Sequence, residues 1–579
     1  MPSYPVTQLP SYLITLCPTP SPYADEDEAT LQAWQRRPST WATWLEKIGL
    51  VMEKPANQLI GNTRLNPFYH TGAIAVFLLL VVGGTGFYLF LFFHYGFWAS
   101  YDSVAQYDNQ FIARTMRAVH RYASGALVIT TMLHAYRTLF LEQFRGPRWL
   151  AWVTGIVLTI IFWLAGVTGY WLVWDTRAQL INDSFIRFLN RFTPWETAYV
   201  MGLIKAEMTD KSWPILLIIL AVHVLLFLIA AGFFWLHVRR LQRPQWFPEL
   251  HWMAGMSIVL AVAAIAFPLT MLPQADPTAL PQAIHLDPIF LFFLPAAGNT
   301  AIFMWIFLLI VTAVAFAFPW LSRDRSADPK TPTAAPPKVN IIKDRCTGCT
   351  LCALDCPYDA IKMVERQDGK RHKYVAIEDP SLCVSCGICV GSCDWDTVTM
   401  GDDLPPDLLW DEAAMRLTMA QAKSPDQPVR LIFTCERHAA QGAKPFIEQN
   451  NQHMEIITLP CVGTILPDVL IKALDAGAAD IQVIGCPPED CRNREGNVWT
   501  AHRLRRKRLP RLKRDYAQAP ITAVWAAPNE FAEALQIEPV QKMNEVGETE
   551  PDYMASRRLL RPLTWRNYVV AFVLLLLVL

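Results

Sequence analysis

The sequence predicts a multidomain protein: an all-α transmembrane bundle of six to seven helices, then a small α+β domain and an α/β domain outside the bilayer. Three observations carry this expectation. Residues 70–320 are mostly apolar, twelve of the thirteen cysteines lie between 346 and 491, and β-branched runs alternate with helical stretches over 428–535. Lys+Arg and Asp+Glu stand at 51 each, so nothing points to a polyanionic partner and no nucleic acid is expected.

Residues 1–69 read as a cytoplasmic segment. "WATWLEKIGLVME" has the amphipathic spacing and tryptophans of a helix lying in the interface, and "MPSYPVTQLPSYLITLCPTP" lacks the pattern of a cleavable signal peptide. Crossing about 30 Å of hydrocarbon takes about 20 apolar residues. Six segments qualify: 70–94, 114–140, 150–173, 214–238, 252–273 and 289–319. The short connections 137–149 and 239–243 hold Arg137, Arg145, Arg148, Arg239, Arg240 and Arg243, whereas 95–113 and 273–288 hold no Lys or Arg. The positive-inside rule then puts both ends of the six-helix block, and everything after residue 320, in the cytoplasm of a prokaryote. The protein is thus expected to be multi-pass in the inner membrane.

The expected divisions are 70–245 for a four-helix core, 246–325 for helices five and six with an outer loop, and 326–340 for a proline-rich linker. Residues 341–400 form the first cysteine domain, 401–427 a linker, 428–535 the α/β domain, 536–555 a linker, and 556–579 a seventh apolar helix.

His120 and His134 share the second apolar segment; His223 and His237 share the fourth. Each pair is 14 residues apart, close to four helical turns, so each lies on one face with about 21 Å between its members. Two such helices facing each other offer two bis-histidine sites, the ligand set of haem iron, stacked through the bilayer. Hydrogen bonding between helices is the other role for intramembrane histidine. Arg117, Arg137 and Arg240 stand one turn from these histidines, where they suit haem propionates or anchor the helix ends.

"HRYASGALVITTMLHAYR", "FRGPRWLAWVTGIVL" and "GVTGYWLVWD" resemble cytochrome b of quinol–cytochrome c/plastocyanin reductases, especially the split bf type. The resemblance implies two haems b, with His120 and His223 on the outer one and His134 and His237 on the inner one. It also implies that glycines such as Gly84, Gly86 and Gly169 let haem approach the backbone. "ADPTALP" and "LDPIFLFF" resemble the family's outer loop and the start of its sixth helix. Where the family has Pro-Glu-Trp-Tyr at the quinol-oxidation site, this chain has Leu286-Asp287-Pro288-Ile289, with Asp287 a candidate proton acceptor. His70 stands where the bf type has a cysteine bonded to an extra haem; it is a candidate for quinone binding, for another cofactor, or for interfacial packing. "SRRLLRPLTWRNYVVAFVLLLLVL" resembles the segment that introduces the family's final helix, which makes the cysteine domains an insertion between helices six and seven.

Cys346, Cys349, Cys352 and Cys356 follow C-x2-C-x2-C-x3-C-P, and Cys383, Cys386, Cys389 and Cys393 repeat the spacing with Asp394 in place of proline. This resembles two-cluster ferredoxins, where the fourth cysteine of each run ligates the other cluster. One 4Fe–4S cluster is thus expected on Cys346, Cys349, Cys352 and Cys393, a second on Cys383, Cys386, Cys389 and Cys356, in a ferredoxin-like fold. Cys435, Cys461, Cys486 and Cys491 lie in a stretch that resembles the iron–sulfur delta subunit of methyl-viologen-reducing hydrogenases, which implies a 2Fe–2S cluster; spacing alone also admits zinc or a redox disulfide. "HRLRRKRLPRLKR" at 502–514 suits a solvated helix face, or docking to anionic lipid or an acidic partner.

Together these readings describe a quinone-linked oxidoreductase subunit. It would pass electrons between menaquinone or ubiquinone and cytoplasmic low-potential carriers, along the line 2Fe–2S, two 4Fe–4S, inner haem, outer haem. Two alternatives stand beside it. One is a modified bc-type subunit that oxidises quinol with a Rieske and cytochrome c partner; the other is a non-catalytic anchor or redox sensor for a hydrogenase or a heterodisulfide-reductase-like flavoprotein. The bc-type likeness also allows a homodimer.

Overall fold

The computed structural model describes residues 39–60, 63–192, 215–276, 284–294, 301–322, 325, 335–401, 405–436, 439–448, 453–537, 540–543, 549–552 and 564–578. Its helical part runs α1 (Thr40–Ile60), α2 (Thr71–Phe92), α3 (Phe97–Asp108), α4 (Phe111–Phe140), α5 (Trp149–Val173), α6 (Thr176–Phe192), α7 (Ile215–Val238), α8 (Leu250–Ala266) and α9 (Ala301–Leu321).

Helix α1 buries Ala42, Glu46, Gly49, Glu53, Asn57 and Ile60, a stripe at helical spacing, and leaves Trp44, Val51 and Leu59 exposed. Helix α2 packs along α4, and α5 along α7. Ile74, Leu78, Ala123, Ala126, Trp252 and Met256 join α2, α4 and α8, while Leu158, Ile161 and Ala230 join α5 to α7. Small residues on α4 let these backbones approach where lipid supplies no hydrophobic drive between helices.

By length and composition, Pro67–Phe92, Gly146–Val173 and Leu216–Val238 suffice to cross a membrane; Leu250–Ala266 and Trp305–Leu321 are shorter apolar helices. Six complete spans were expected, and the differences have physical causes. Helix α4 is long enough at 30 residues, but Arg114, Arg117, Arg121 and its two histidines make it too polar. The fifth segment ends at Ala266, because Pro268 bars the helix from continuing. The expected sixth segment begins as turns over 288–294, with Asp287 accepting hydrogen bonds from the backbone of Ile289 and Phe290.

Beyond the bundle come β1 (Val339–Ile341), α10 (Leu351–Asp355), β2 (Ile361–Glu365), β3 (Tyr374–Glu378) and β4 (Val398–Met400). Strand β1 pairs antiparallel with β4, and β2 with β3. Both cysteine runs turn left-handed at the same two places, Gly348 and Thr350 in the first, Ser385 and Gly387 in the second. Glycine takes one of these positions in each run, and the loop imposes the costlier conformation on Thr350 and Ser385.

Next are α11 (Pro405–Lys423), β5 (Arg430–Cys435), α12 (Ala439–Glu448), β6 (Met454–Leu459), α13 (Pro467–Asp475), β7 (Asp480–Gly485), α14 (Gly496–Leu504), β8 (Ile521–Trp525) and α15 (Phe531–Leu535). The sheet is parallel in the order β6-β5-β7-β8. It is covered on both faces: Leu431 and Phe433 join a core with Leu409, Leu417 and Val469, while Ile432 packs with Ala443 and Phe531. Burial on both sides explains why these strands read as continuous apolar runs.

Two expected linkers carry structure. Residues 401–427 include α11, whose buried Leu409, Ala413, Leu417 and Ala420 form a helical stripe. Residues 536–555 include a hairpin of β9 (Val540–Met543) and β10 (Thr549–Asp552). Helix α16 (Trp565–Val578) has 14 residues, about 21 Å of helix. Its Ala571 packs with Ala56, Ile60 and Leu65, and Asn567 donates to the Ile60 carbonyl.

The basic stretch after residue 502 is not wholly solvated. Arg503 is fully buried between the two cysteine domains, donating to the carbonyl of Gly463 at 2.8 Å and the hydroxyl of Ser392 at 2.7 Å, and pairing with Asp355 at 3.3 Å. Arg508 pairs with the same carboxylate and lies over the Trp499 ring.

Candidate metal centres

The four membrane histidines meet as two pairs across the α4–α7 gap. Ring centres are 6.5 Å apart for His120 and His223, and 6.4 Å for His134 and His237. A metal–imidazole bond of about 2.0 Å on each side, plus roughly 1.1 Å from nitrogen to ring centre, requires about 6.2 Å. The pairs therefore fit a six-coordinate haem iron between them.

Behind each ring stands a Thr-Gly pair from the neighbouring helix. Thr85, Thr71, Thr168 and Thr154 place Oγ1 at 3.1, 3.4, 3.0 and 3.1 Å from Nδ1 of His120, His134, His223 and His237 respectively. Thr85, Thr168 and Thr154 donate their hydroxyl protons back to their own helices, to Val81, Ala165 and Leu150 among others. Their oxygens are thus left to accept from Nδ1–H, which fixes the tautomer and leaves Nε2 as the electron-pair donor. The following glycines let the rings in: a Cβ at Gly86, Gly72, Gly169 or Gly155 would stand 3.0, 3.2, 3.3 or 3.2 Å from Cε1 of the histidine concerned.

Of the glycines expected against haem, Gly86 and Gly169 do touch axial-candidate rings, whereas Gly84 has nothing within 4 Å of a built Cβ. Gly72 and Gly155 were missed, although the signal is legible: Thr-Gly recurs at 71 and 85, and at 154 and 168, the histidine interval of 14. Exchanging Thr154 for valine should weaken haem retention at the inner pair by about 10–100-fold, measured as haem transfer to a scavenging apoprotein.

The three arginines expected at propionates each have a protein partner as well. Arg117 pairs with Asp108, and Arg240 donates to the Pro147 carbonyl at 2.8 Å. Arg137 pairs with Glu53 at 3.1 Å and Asp490 at 2.6 Å. The cavity that holds His134 and His237 is lined by Arg137 and by Arg148, whose buried Nη1 has no hydrogen-bond partner among the described residues. His70 also lines that cavity, but its Nε2 is 2.8 Å from the Arg64 carbonyl and its ring packs on Trp252. Asp287 is buried, ion-paired with Arg121 and accepting from the Tyr170 hydroxyl at 2.8 Å, so a proton-accepting role requires it to leave Arg121.

Outside the bundle, Cys346, Cys349, Cys352 and Cys393 line one small cavity, and Cys356, Cys383, Cys386 and Cys389 line another. Each run thus lends its fourth cysteine to the other's cage. Burial pushes Cys352 and Cys386 up to about 12, with the neighbouring sulfurs of the same cage adding to the shift. Thiolates crowded in an apolar cage are costly unless a cationic centre neutralises them, so both cages fit iron–sulfur clusters. Backbone N–H groups of Val339 and Ser385 already point at Cys383 Sγ, and that of Ala376 at Cys346 Sγ.

The remaining four cysteines gather at the carboxyl edge of the parallel sheet, beside the point where the strand order reverses between β5 and β7. Hydrogen bonds to Cys435 and Cys491, with burial behind them, push the Cys461 and Cys486 thiols well above their ordinary range. Contacts among sulfurs therefore run in a ring, Cys435–Cys461–Cys491–Cys486. Among the described residues, no group of three or more His, Cys, Asp or Glu has the geometry for a single metal ion.

Residues 57–245 match the family model of cytochrome b/b6/petB. The membrane segment is similar to cytochrome b. Residues 345–397 match the 4Fe-4S dicluster domain, and 431–545 match the methyl-viologen-reducing hydrogenase, delta subunit. Cytochrome b6 of Synechococcus elongatus is 35% identical over 112 residues, 19% of this chain and 52% of its own length. Cytochrome b6 of Prochlorothrix hollandica is 31% identical over 112 residues, 19% of this chain and 50% of its own. The chain spans about half the length of the curated relatives it matches. A solved structure described as a hyperthermophilic respiratory Complex III aligns with a TM-score of 0.35 and 16% identity, covering 48% of this chain and 83% of that one. The cytochrome b match stops at residue 245, short of α8, α9 and α16.

Proposed function

We propose that this chain is the membrane subunit of a respiratory-type electron-transfer complex, linking menaquinone or ubiquinone to a low-potential carrier in the cytoplasm. Two haems b, two 4Fe–4S clusters and one 2Fe–2S cluster, when bound, supply its one-electron carriers. His120 with His223 and His134 with His237 hold the haems; the two cages and the four-cysteine ring hold the clusters.

One observation carries this reading: the inner histidine pair and a cysteine of the ring, Cys491, line the same cavity. An anchor or sensor has no need of that adjacency. Low-dielectric surroundings and fixed hydrogen bonds let each site exchange charge with little reorganisation. The arginines of the loops after α4 and α7 support a cytoplasmic location for the cysteine domains under the positive-inside rule.

Anaerobic reduction of the purified chain by a low-potential one-electron donor tests the reading. Cluster bleaching followed by growth of reduced haem absorbance, then reoxidation by added quinone, is expected. Clusters that reduce while the haems stay oxidised would sink it.

A further inference from the structure

The order of the centres differs from the line the sequence suggested, and the difference lies in one loop. Between β7 and α14, residues 487–495 turn back onto the membrane segment. Asp490, Cys491 and Arg494 from this loop line the cavity of His134 and His237; Tyr358, which also lines the cage of Cys356, Cys383, Cys386 and Cys389, reaches the same cavity, but the ring is the site that places a cysteine there. The loop is pinned. Asp490 takes Arg137 in a buried ion pair at 2.6 Å, Arg137 also meets Glu53 of α1, and its guanidinium lies over the Tyr69 ring at 4.8 Å. Arg137 stands one turn after His134 on α4, and Asp490 stands directly before Cys491. The pin therefore joins the helix that carries an inner histidine to the loop that carries a ring cysteine. Nearby, Arg243 grips Glu495 of the same loop.

The other side of the ring faces the cages. Thr464, three residues after Cys461, donates to the Cys386 carbonyl at 3.1 Å, and Arg503 bridges the Gly463 carbonyl to Ser392 and Asp355. Cys461 thus adjoins the cage of Cys356, Cys383, Cys386 and Cys389. In the other cage, Cys349 is exposed to solvent.

We infer that the four-cysteine ring is the last station before the inner histidine pair, with the ferredoxin-like cages upstream of it, and that Arg137 and Asp490 are positioning residues that set this contact. With both sites loaded, the ring cysteines would hold the one-electron donor and His134 with His237 its acceptor, and the transfer would make or break no bond and move no proton. This rests on the proposed function, and it reverses the place of the ring from the far end of the line to its centre.

Pulsed electron paramagnetic resonance on the full chain tests it without turnover. In samples freeze-quenched after cluster reduction and before electrons reach the haems, so that the haems are still ferric, relaxation of the 2Fe–2S signal should be strongly enhanced, and more so than that of either 4Fe–4S signal. The enhancement should vanish when the inner haem is reduced. Asp490→Asn should keep its haem and iron content yet lose most of the enhancement, and Arg137→Lys, which keeps the charge but not the fork, should lose part of it. Stronger enhancement of a 4Fe–4S signal in the unaltered chain would overturn the order, whatever the variants do. Undiminished enhancement in a folded Asp490→Asn protein would overturn the pin. Absence of a 2Fe–2S or haem signal from the unaltered chain would instead overturn the functional reading beneath both.

Discussion

Full-length protein carrying His134→Leu should hold about half the haem b of the unaltered chain, lost from the inner pair alone. Leucine fills a similar volume on α4 but offers no electron pair, so His237 is left as a single axial ligand. The outer pair lies about 21 Å along the same helices and shares no partner with the inner one, so its occupancy should be unaffected. A companion variant separates ligation from fit. At Gly155 a Cβ would already stand 3.2 Å from His237 Cε1, so Gly155→Val should evict the same haem with all four histidines present. Haem per polypeptide, read as the pyridine complex, decides each case. Two haems in His134→Leu would refute the assignment of that site.

The histidine pairs and cysteine cages were legible because their ligands recur at fixed intervals: a 14-residue step on a helix and a repeated C-x2-C run each dictate a shared face or loop. The Thr-Gly pairs obey the same interval and were readable too, but they lie on helices without ligands, so a search for ligands passes over them. Helix α11 was hidden by Pro405, Pro406 and the polar residues flanking a sparse stripe of Leu409, Ala413, Leu417 and Ala420. The arginines show where local reading ends. Spacing put Arg137 one turn from His134, but its partners are Glu53 and Asp490, distant in sequence, and only tertiary packing brings three segments to one charge. Arg503 looked like one more charge in a solvated run for the same reason.

Arg503 and Asp355 supply the second large effect. Asp355 is fully buried and receives Arg503, Arg508 and the Ser392 hydroxyl, the last at 2.7 Å. Burial pulls the Arg503 guanidinium down to about 10, with Asp355 opposing the shift. Asp355→Leu leaves that cation without its carboxylate in an apolar seam, and removing one member of such a pair costs about 3–5 kcal/mol. Replacing both, as Asp355→Leu with Arg503→Met, removes the fully buried charge together with its partner, leaves only the partly exposed Arg508 unpaired, and should recover part of the loss. Denaturant unfolding of the full chain, followed through near-ultraviolet signals of the cysteine domains, would measure both. A single variant as stable as the parent would show that the pair carries no net weight. The same change should reach the metal sites. Asp355 directly precedes Cys356, and Arg503 donates to Gly463 beside Cys461, so the pair ties a cage ligand to a ring ligand. Destabilising that seam should therefore let the cage and the ring separate, and slow electron passage between them before either loses its iron.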